Sequence, residues 1–536
     1  MMMLRFSIAK AVCAGALLFV LAVAPAPSRA ATPPDALIMA AAIDDIISLD
    51  PGTALEVTSG EILGNTYDRL VRIDRADSSK LRGDIAASWK ISEDGKTYTF
   101  SLKPNLVFAS GNPLTAEDVA FSFKRTVTLA KSPAFQLIQL GLTKDNVDEM
   151  AKAMPDGTFV LTLDKPYAPN FVLNCLSVNA AAVVDKKLAI EHEKDGDFGS
   201  AWVQSHYAGS GPMILREWRA NEVVVLERND KYYDAKAKLK RVIYRHVKES
   251  STQRLMLEAG DADIARNLEP GDLDAVSKDS KIRLQSELNG TTYAIALNMN
   301  NPKFAKREVR QAMKYLVNYA AIQATLIKNI GVIHQDFLPI GLPGSEKVNP
   351  YSFNIAKAKE LLAQAGYPEG FDITFDVRNS QPVTGIAESF QQTAAQAGIK
   401  VEIIPGDGKQ TLSKYRVHKH DMYIGEWSLK YMDPDSNANA YAYNPDPSEA
   451  ARFKMLAWRN GWYSPEANDL VKAGLLEQDP QKRIGLYRKL LALFREDSPF
   501  IMLYQMQETA AVNKKVKDFI LGPVPYTNFV YLATKG

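Results

Sequence analysis

The pattern of apolar and polar positions changes period along this chain, and the stretch from Leu63 to Arg125 shows it most clearly. The apolar pair Leu70-Val71 leads into a polar turn, then a short segment ending at Trp89 that reads as helical. After the turn Glu93-Asp94-Gly95-Lys96, the run Thr97 to Leu102 alternates, with Tyr98, Phe100 and Leu102 on one face. That period of two predicts a half-buried strand. A second turn, Ser110-Gly111-Asn112-Pro113, precedes Thr115-Ala116-Glu117-Asp118. A threonine with an acid three residues on can satisfy the free amides of a first turn, so a helix is expected from near Ala116.

The same reading places a first strand in the apolar segment Leu37 to Ile47, a helix over Ser59 to Asp68, and strands over 157–163, 222–227, 242–247 and 293–298. Helices are expected over Ser251 to Ala259 and Lys306 to Ile327. Further on, strand Phe371 to Val377, helix Ala387 to Gln396 and strand Lys400 to Ile404 form a βαβ unit, which predicts parallel pairing with a right-handed crossover. Ile484, Tyr487, Leu490, Leu491 and Phe494 recur at helical spacing on one face. The sequence contains no internal repeat, low-complexity tract or long flexible linker.

A chain of 536 residues exceeds one ordinary core, so at least two lobes are expected. Arg5 and Lys10 precede an apolar run from Ala11 to Val23, and Ser28-Arg29-Ala30 supplies small residues for cleavage. This predicts a secretory signal over residues 1–30 and a mature chain from Ala31, hence export to the periplasm. Cys13 sits inside the apolar run, unlike a lipidated cysteine. Cys175 then stands alone and reads as a buried structural thiol. Net charge is +2, and losing Arg5, Lys10 and Arg29 takes it to −1, which gives no electrostatic case for nucleic acid.

Several ordered motifs carry a family likeness. They are the Leu63–Arg125 string, Ser48-Leu49-Asp50-Pro51, Gly211-Pro212 with Glu227 to Tyr233, Leu297-Asn298-Met299-Asn300 with Val309 to Ala312, and Lys357 to Leu362 with Ala365-Gly366-Tyr367-Pro368. Over nearly the whole mature chain this resembles the family-5 extracellular solute-binding proteins of bacterial ABC importers, whose members take peptides, nickel or oligosaccharides. The resemblance implies an α/β, two-lobed periplasmic binding protein fold of the cluster C type, with an extra subdomain in the first lobe. It further implies lobe I over 31–287, lobe II over 288–499, and a return to lobe I over 500–536. Two chain crossings would form a two-stranded hinge, with the ligand enclosed in the cleft by closure.

By the same resemblance, peptide-binding members carry a tryptophan followed three residues later by an aspartate that pairs with the peptide ammonium. Here Trp427 and the downstream Asp433-Pro434 match, but Lys430 stands where the aspartate would be. A lysine facing a ligand ammonium would repel it at low effective dielectric. If Lys430 faces the ligand, an anionic or electron-rich group is expected there; the other reading is a solvated or structural lysine. In a slipped register, Asp433 would be the ligand-facing acid instead. Trp427 can flank the ligand or belong to a core. Ser428, Asp44, Asp45, Ile46, Phe135, Tyr293 and Arg378 are further carried-over candidates, and the aromatic expected after Ile404 is replaced near Gly408.

Enzymatic motifs fail. Gly209-Ser210-Gly211 lacks the spacing of a nucleophile elbow, His418 and His420 lack a third metal ligand and read as a solvated pair, and Asp433 to Asn437 lacks calcium-loop spacing and reads as a turn. No phosphate loop of the Walker type is present, so ATP hydrolysis would belong to separate subunits. The expectation is therefore a monomeric receptor without cofactor or metal, not an enzyme. It would deliver a peptide-like, opine-like or other anionic small molecule to an inner-membrane ABC permease. An oligosaccharide receptor and a secreted hydrolase are the rival readings.

Overall fold

Two long strands, Ile282–Leu297 and Phe500–Asn513, pair antiparallel along most of their length and form the spine of an 11-stranded sheet. A computed structural model of the chain describes residues 32–451 and 454–536; the expected signal segment and Cys13 lie outside them. On one side of the spine the sheet continues through Met422–Ser428 and Asp372–Arg378 to Lys400–Gly406. On the other it runs through Ile264–Ala265, Ala36–Ala41, Arg241–His246 and Val223–Arg228 to Met213–Arg219. Asp372 pairs with Lys400 and the register holds to Arg378 with Gly406, so the expected βαβ unit is parallel. The intervening helix, Val383–Ala395, begins four residues before the apolar pattern suggested.

A separate four-stranded sheet holds Ala86–Ile91, Thr97–Leu102, Phe159–Thr162 and Ala151–Ala153 in that order. Residues before Trp89 are thus strand, not helix. Pairing decides the matter: Trp89 lies opposite Phe100, with ring centroids 6.3 Å apart, so tertiary contact overrides a weak local preference. The helix Ala116–Leu129 starts where expected, capped reciprocally by Thr115 and Asp118.

Other differences have local causes. The first strand ends at Ala41, where the chain turns toward Asp45. The segment from Lys306 to Ile327 contains two helices, Arg307–Tyr315 and Tyr319–Thr325, because the Asn318 side chain accepts from the Ala321 amide and caps a new start. Asp433 begins the helix Asp435–Ala442, its Oδ1 accepting from the Asp435 amide at 3.0 Å, in place of the expected turn.

One core, built on Ile295, Phe375, Ile424 and Ile501, fills one side of the spine; a second, on Leu37, Met213, Val224 and Val512, fills the other. The largest cluster joins Phe100, Phe123 and Phe171 to Tyr431, Trp462 and Phe494, so the small sheet's neighbourhood packs against the helical region near the C-terminus. Phe171 meets Tyr431 edge-on at 5.7 Å. Among the described residues, no helix is long and apolar enough to cross a membrane.

Candidate functional site

The antiparallel register of the two long strands shifts between Leu288 and Thr292, and a cavity of about 200 Å³ opens beside that irregularity. Asn289, Gly290 and Thr291 form one wall. The bulged chain is held by three hydrogen bonds: Gln505 Nε2 donates to the Asn289 carbonyl at 2.8 Å, the Gly290 amide to Pro523 at 2.8 Å, and the Leu429 amide to Gly290 at 3.0 Å. A β-carbon at Gly290 would come within 2.5 Å of the Leu429 side chain, so only glycine permits this approach.

The opposite wall comes from the start of the helix Val57–Thr66, with Ala54, Leu55, Glu56 and Val57, and from the turn Gly522 to Tyr526. Close packing fixes these two pieces together, since a β-carbon at Gly64 would meet the Tyr526 carbonyl oxygen at 2.7 Å. Gln136 and residues 178–180 complete the lining with Ser428, Leu429, Lys430 and Glu508.

Ser428 ends its strand, and its hydroxyl meets the Thr291 hydroxyl at 2.8 Å. Lys430 follows two residues later. Its amide donates to Ser436 Oγ at 2.9 Å, and its carbonyl accepts from Gln136 Nε2 at 2.8 Å, which anchors the backbone and leaves the side chain free. Among the described residues no ion pair or hydrogen bond engages Lys430 Nζ; burial lowers its pKa from the ordinary lysine value, and the charge of Glu426 offsets part of that. The ammonium lies 5.2 Å from the Trp427 ring. Trp427 is half-buried against the largest core, and its indole Nε1 is buried with no protein partner among the described residues.

The remaining sequence candidates are spread more widely. Asp45 Oδ2 accepts from the Thr58 amide at 3.0 Å, placing its carboxylate at the start of the cavity-lining helix. Ile46 is packed in a core with Leu49 and Ile62. Phe135 is exposed beside Gln136 and does not itself line the cavity. Tyr293 stacks on Tyr504 at 4.6 Å and donates to Glu426, and burial pushes its phenol well up. Arg378 ends its strand against Gly408, where a β-carbon would meet its Nε at 3.1 Å.

Asp433 is fully engaged elsewhere. Its two oxygens accept from Arg483 Nη1 and Nη2 at 2.7 and 2.6 Å, with Asp433 1% exposed. A ligand-facing Asp433, as a slipped register would have it, is therefore excluded by the ion pair. His420 is buried and its Nε2 bonds Asn460 Oδ1 at 2.9 Å, while His418 packs edge-on to Trp458 at 3.8 Å, so the pair is packed and not solvated as expected. Ser210 Oγ donates to Asp68 at 2.7 Å, and Cys175 Sγ accepts from Gln139 Nε2 at 3.1 Å; both are buried structural groups.

Sequence reasoning missed most of the cavity, including Asn289-Gly290, Glu508 and the turn Gly522 to Tyr526. Asn-Gly and Gly-Pro-Val-Pro are turn signals that could have marked two of these pieces. Glu508 carries no such signal.

The model for bacterial extracellular solute-binding proteins, family 5, matches residues 80–449. The Probable D,D-dipeptide-binding periplasmic protein DdpA of Escherichia coli (strain K12) is 28% identical over 505 residues, covering 93% of each chain. Among solved structures, HbpA2 from Haemophilus parasuis superposes with a TM-score of 0.79 at 24% identity, covering 94% of this chain and 100% of that one. DppA from Helicobacter pylori, an ABC transporter-associated periplasmic binding protein in complex with the peptide STSA, gives 0.76 at 25% identity over 93% and 98%. The two-lobed binding-protein fold expected from the motifs is therefore present, and the chain belongs to the bacterial extracellular solute-binding proteins of family 5.

Proposed function

We propose that this solute-binding protein is the periplasmic receptor of an ABC-type importer, and that its solute is a small organic molecule presenting an anionic group to Lys430. The carrying observation is the cavity beside the strand bulge, where a half-buried lysine ammonium makes no ion pair or hydrogen bond among the described residues and feels only the more distant charge of Glu426. Leaving such a charge only partly compensated disfavours the ligand-free state, and an incoming carboxylate would relieve it. A space of about 200 Å³ suits a ligand near dipeptide size better than an oligosaccharide, since sites for drug-sized ligands run from roughly 300 to 1,000 Å³. The D,D-dipeptide named for the Escherichia coli relative is of that size class.

In this reading lobe I spans 31–287 with 500–536, lobe II spans 288–499, and the two long strands serve as the hinge about which they close. The monomeric receptor, exported with cleavage near Ala30, hands its ligand to an inner-membrane permease whose ATPase subunits are separate chains. It performs no covalent chemistry.

Native mass spectrometry of the mature protein from its exporting host tests this directly. A released small anionic or zwitterionic compound is the expected result. A sugar without charge would overturn the role of Lys430, and turnover of an ester, peptide or glycoside by the purified protein would overturn the receptor reading.

A further inference from the structure

Glu508, on the long strand Phe500–Asn513, lines the same cavity as Lys430. One of its oxygens accepts from Arg266, and no hydrogen bond reaches the second oxygen among the described residues. Arg266 is already neutralised by Glu61, with Nη1 2.9 Å from a Glu61 oxygen; Glu61 itself is buried and also accepts from Tyr244 and Asn528. One guanidinium thus stands between two carboxylates, and the trio carries a net charge of −1. Of the two carboxylates, only Glu508 lines the cavity.

The sheet register gives the separation of the two residues' backbones. Ser428 pairs with Thr291, the antiparallel direction carries Lys430 on to about the level of Asn289, and Glu508 pairs with Glu287 on that same strand. About two residues along the strand, roughly 7 Å, and two strand spacings across the sheet, roughly 10 Å, put the two backbones on the order of 12 Å apart. An extended dipeptide spans about 7 Å, and one hydrogen-bond length of about 3 Å at each end bridges the remainder. Glu56 is the other acid on the wall, with its Oε2 accepting from the Leu55 amide at 3.0 Å, and it is the competing site that the variants below must separate from Glu508.

Resting on the reading of Lys430 above, we infer that the ligand is a zwitterion of dipeptide length laid across the bulged strand. Its anionic end meets Lys430 and its cationic end meets Glu508. Glu508 is thereby a specificity-determining residue that selects ligands with an ammonium or guanidinium group.

The test uses the mature full chain and four probes measured by calorimetry: dialanine, N-acetyl-dialanine, dialaninamide and N-acetyl-dialaninamide, each in L,L and D,D forms. The expected result is that one stereoisomer of dialanine binds at least tenfold more tightly than its N-acetyl and amide forms, and that the doubly blocked form binds weakest. Glu508→Gln should abolish the gap between dialanine and N-acetyl-dialanine, Glu508→Asp should retain it, and Lys430→Gln should abolish only the gap between dialanine and dialaninamide. Melting curves without probe establish that each variant is folded. Equal binding of dialanine and its N-acetyl form by the wild type overturns the role of Glu508 and leaves that of Lys430 standing. Tighter binding of dialaninamide than dialanine overturns Lys430 itself. Loss of ammonium selection in Glu56→Gln but not in Glu508→Gln moves the site to Glu56, and failure of all probes overturns the dipeptide-length zwitterion.

Discussion

The Lys430 ammonium stands 5.2 Å from the Trp427 ring, so this cation rests near an aromatic face and not against a carboxylate. Such a contact is worth about 1 kcal/mol, far less than a partly buried ion pair, and leaves the charge available to a ligand. Lys430→Asp should reduce affinity for an anionic ligand at least a hundredfold, on the order of 3 kcal/mol. The same variant should gain affinity for dialaninamide, a probe carrying only an ammonium. Calorimetry with the co-purified ligand and with dialaninamide checks both halves; unchanged affinity for the native ligand would place Lys430 outside the site.

Binding should also depend on pH through this residue. Burial depresses the Lys430 pKa, and only the protonated form attracts an anion. Affinity should therefore be full on the acid side of that depressed value and decline as pH rises through it, earlier than an exposed lysine would allow. Ligand binding raises the lysine pKa again, so the complex takes up protons near the transition. Calorimetry in two buffers of different ionisation enthalpy reads that uptake, and Lys430→Gln should remove it.

The fold was largely legible because its local signals agree with its tertiary contacts. Thr115 with Asp118, the alternation of Tyr98 and Phe100, and the βαβ unit from Asp372 to Gly406 all folded as their patterns implied. The segment ending at Trp89 failed because its partner strand, not its own composition, sets its conformation. Of the cavity lining, only Ser428 and Lys430 stand among the candidates expected from the sequence. Glu508 was invisible because its significance depends on Arg266 and Glu61, which lie 242 and 447 positions away in sequence.

The Asp433–Arg483 pair should be a stability determinant next to the cavity-lining segment Ser428 to Lys430. Both residues are buried, the contact is bidentate, and Arg483 also donates from Nε to the Gly474 carbonyl at 2.7 Å. Arg483→Met would strand the Asp433 carboxylate and should cost about 3–5 kcal/mol, measured by urea unfolding. A double variant with Asp433→Leu should recover part of that loss, because removing both charges leaves no unpaired ion. No recovery would mean that Arg483 acts through packing alone.

Gly290→Ala should damage both stability and binding. The new methyl would meet Leu429 Cδ1, Cγ and Cβ at 2.5, 2.6 and 2.7 Å, closer than carbon atoms approach, and Leu429 is itself held by the hydrogen bond to Gly290. Relief requires Leu429 and its neighbour Lys430 to move. A loss of about 1–3 kcal/mol is expected from overpacking, together with weaker ligand binding. Leu429→Ala in the same chain removes the Cδ1 and Cγ contacts but keeps Cβ at 2.7 Å, so it should recover only part of the lost ligand affinity.

Asp435 gives the fold its own pH dependence. Burial lifts its pKa to about 7, reinforced by Asp433 and opposed by Arg483 and by the Tyr431 hydroxyl, which donates to Oδ2 at 3.0 Å. The folded-state pKa thus lies above the unfolded value of 3.8, so the folded state holds this proton more tightly. The resulting stabilisation is complete below pH 4 and is lost as pH climbs through about 7. Asp435→Asn keeps an acceptor for Tyr431 and no longer ionises, so it should lack this loss. Relative to Asp435→Asn, the wild type should therefore weaken between pH 4 and pH 7 by an amount on the order of 2–4 kcal/mol. Urea unfolding of both proteins across that range isolates the contribution, because every other carboxylate is common to the two. Parallel stability curves would show that Asp435 stays ionised in the fold, with Arg483 shared between both aspartates.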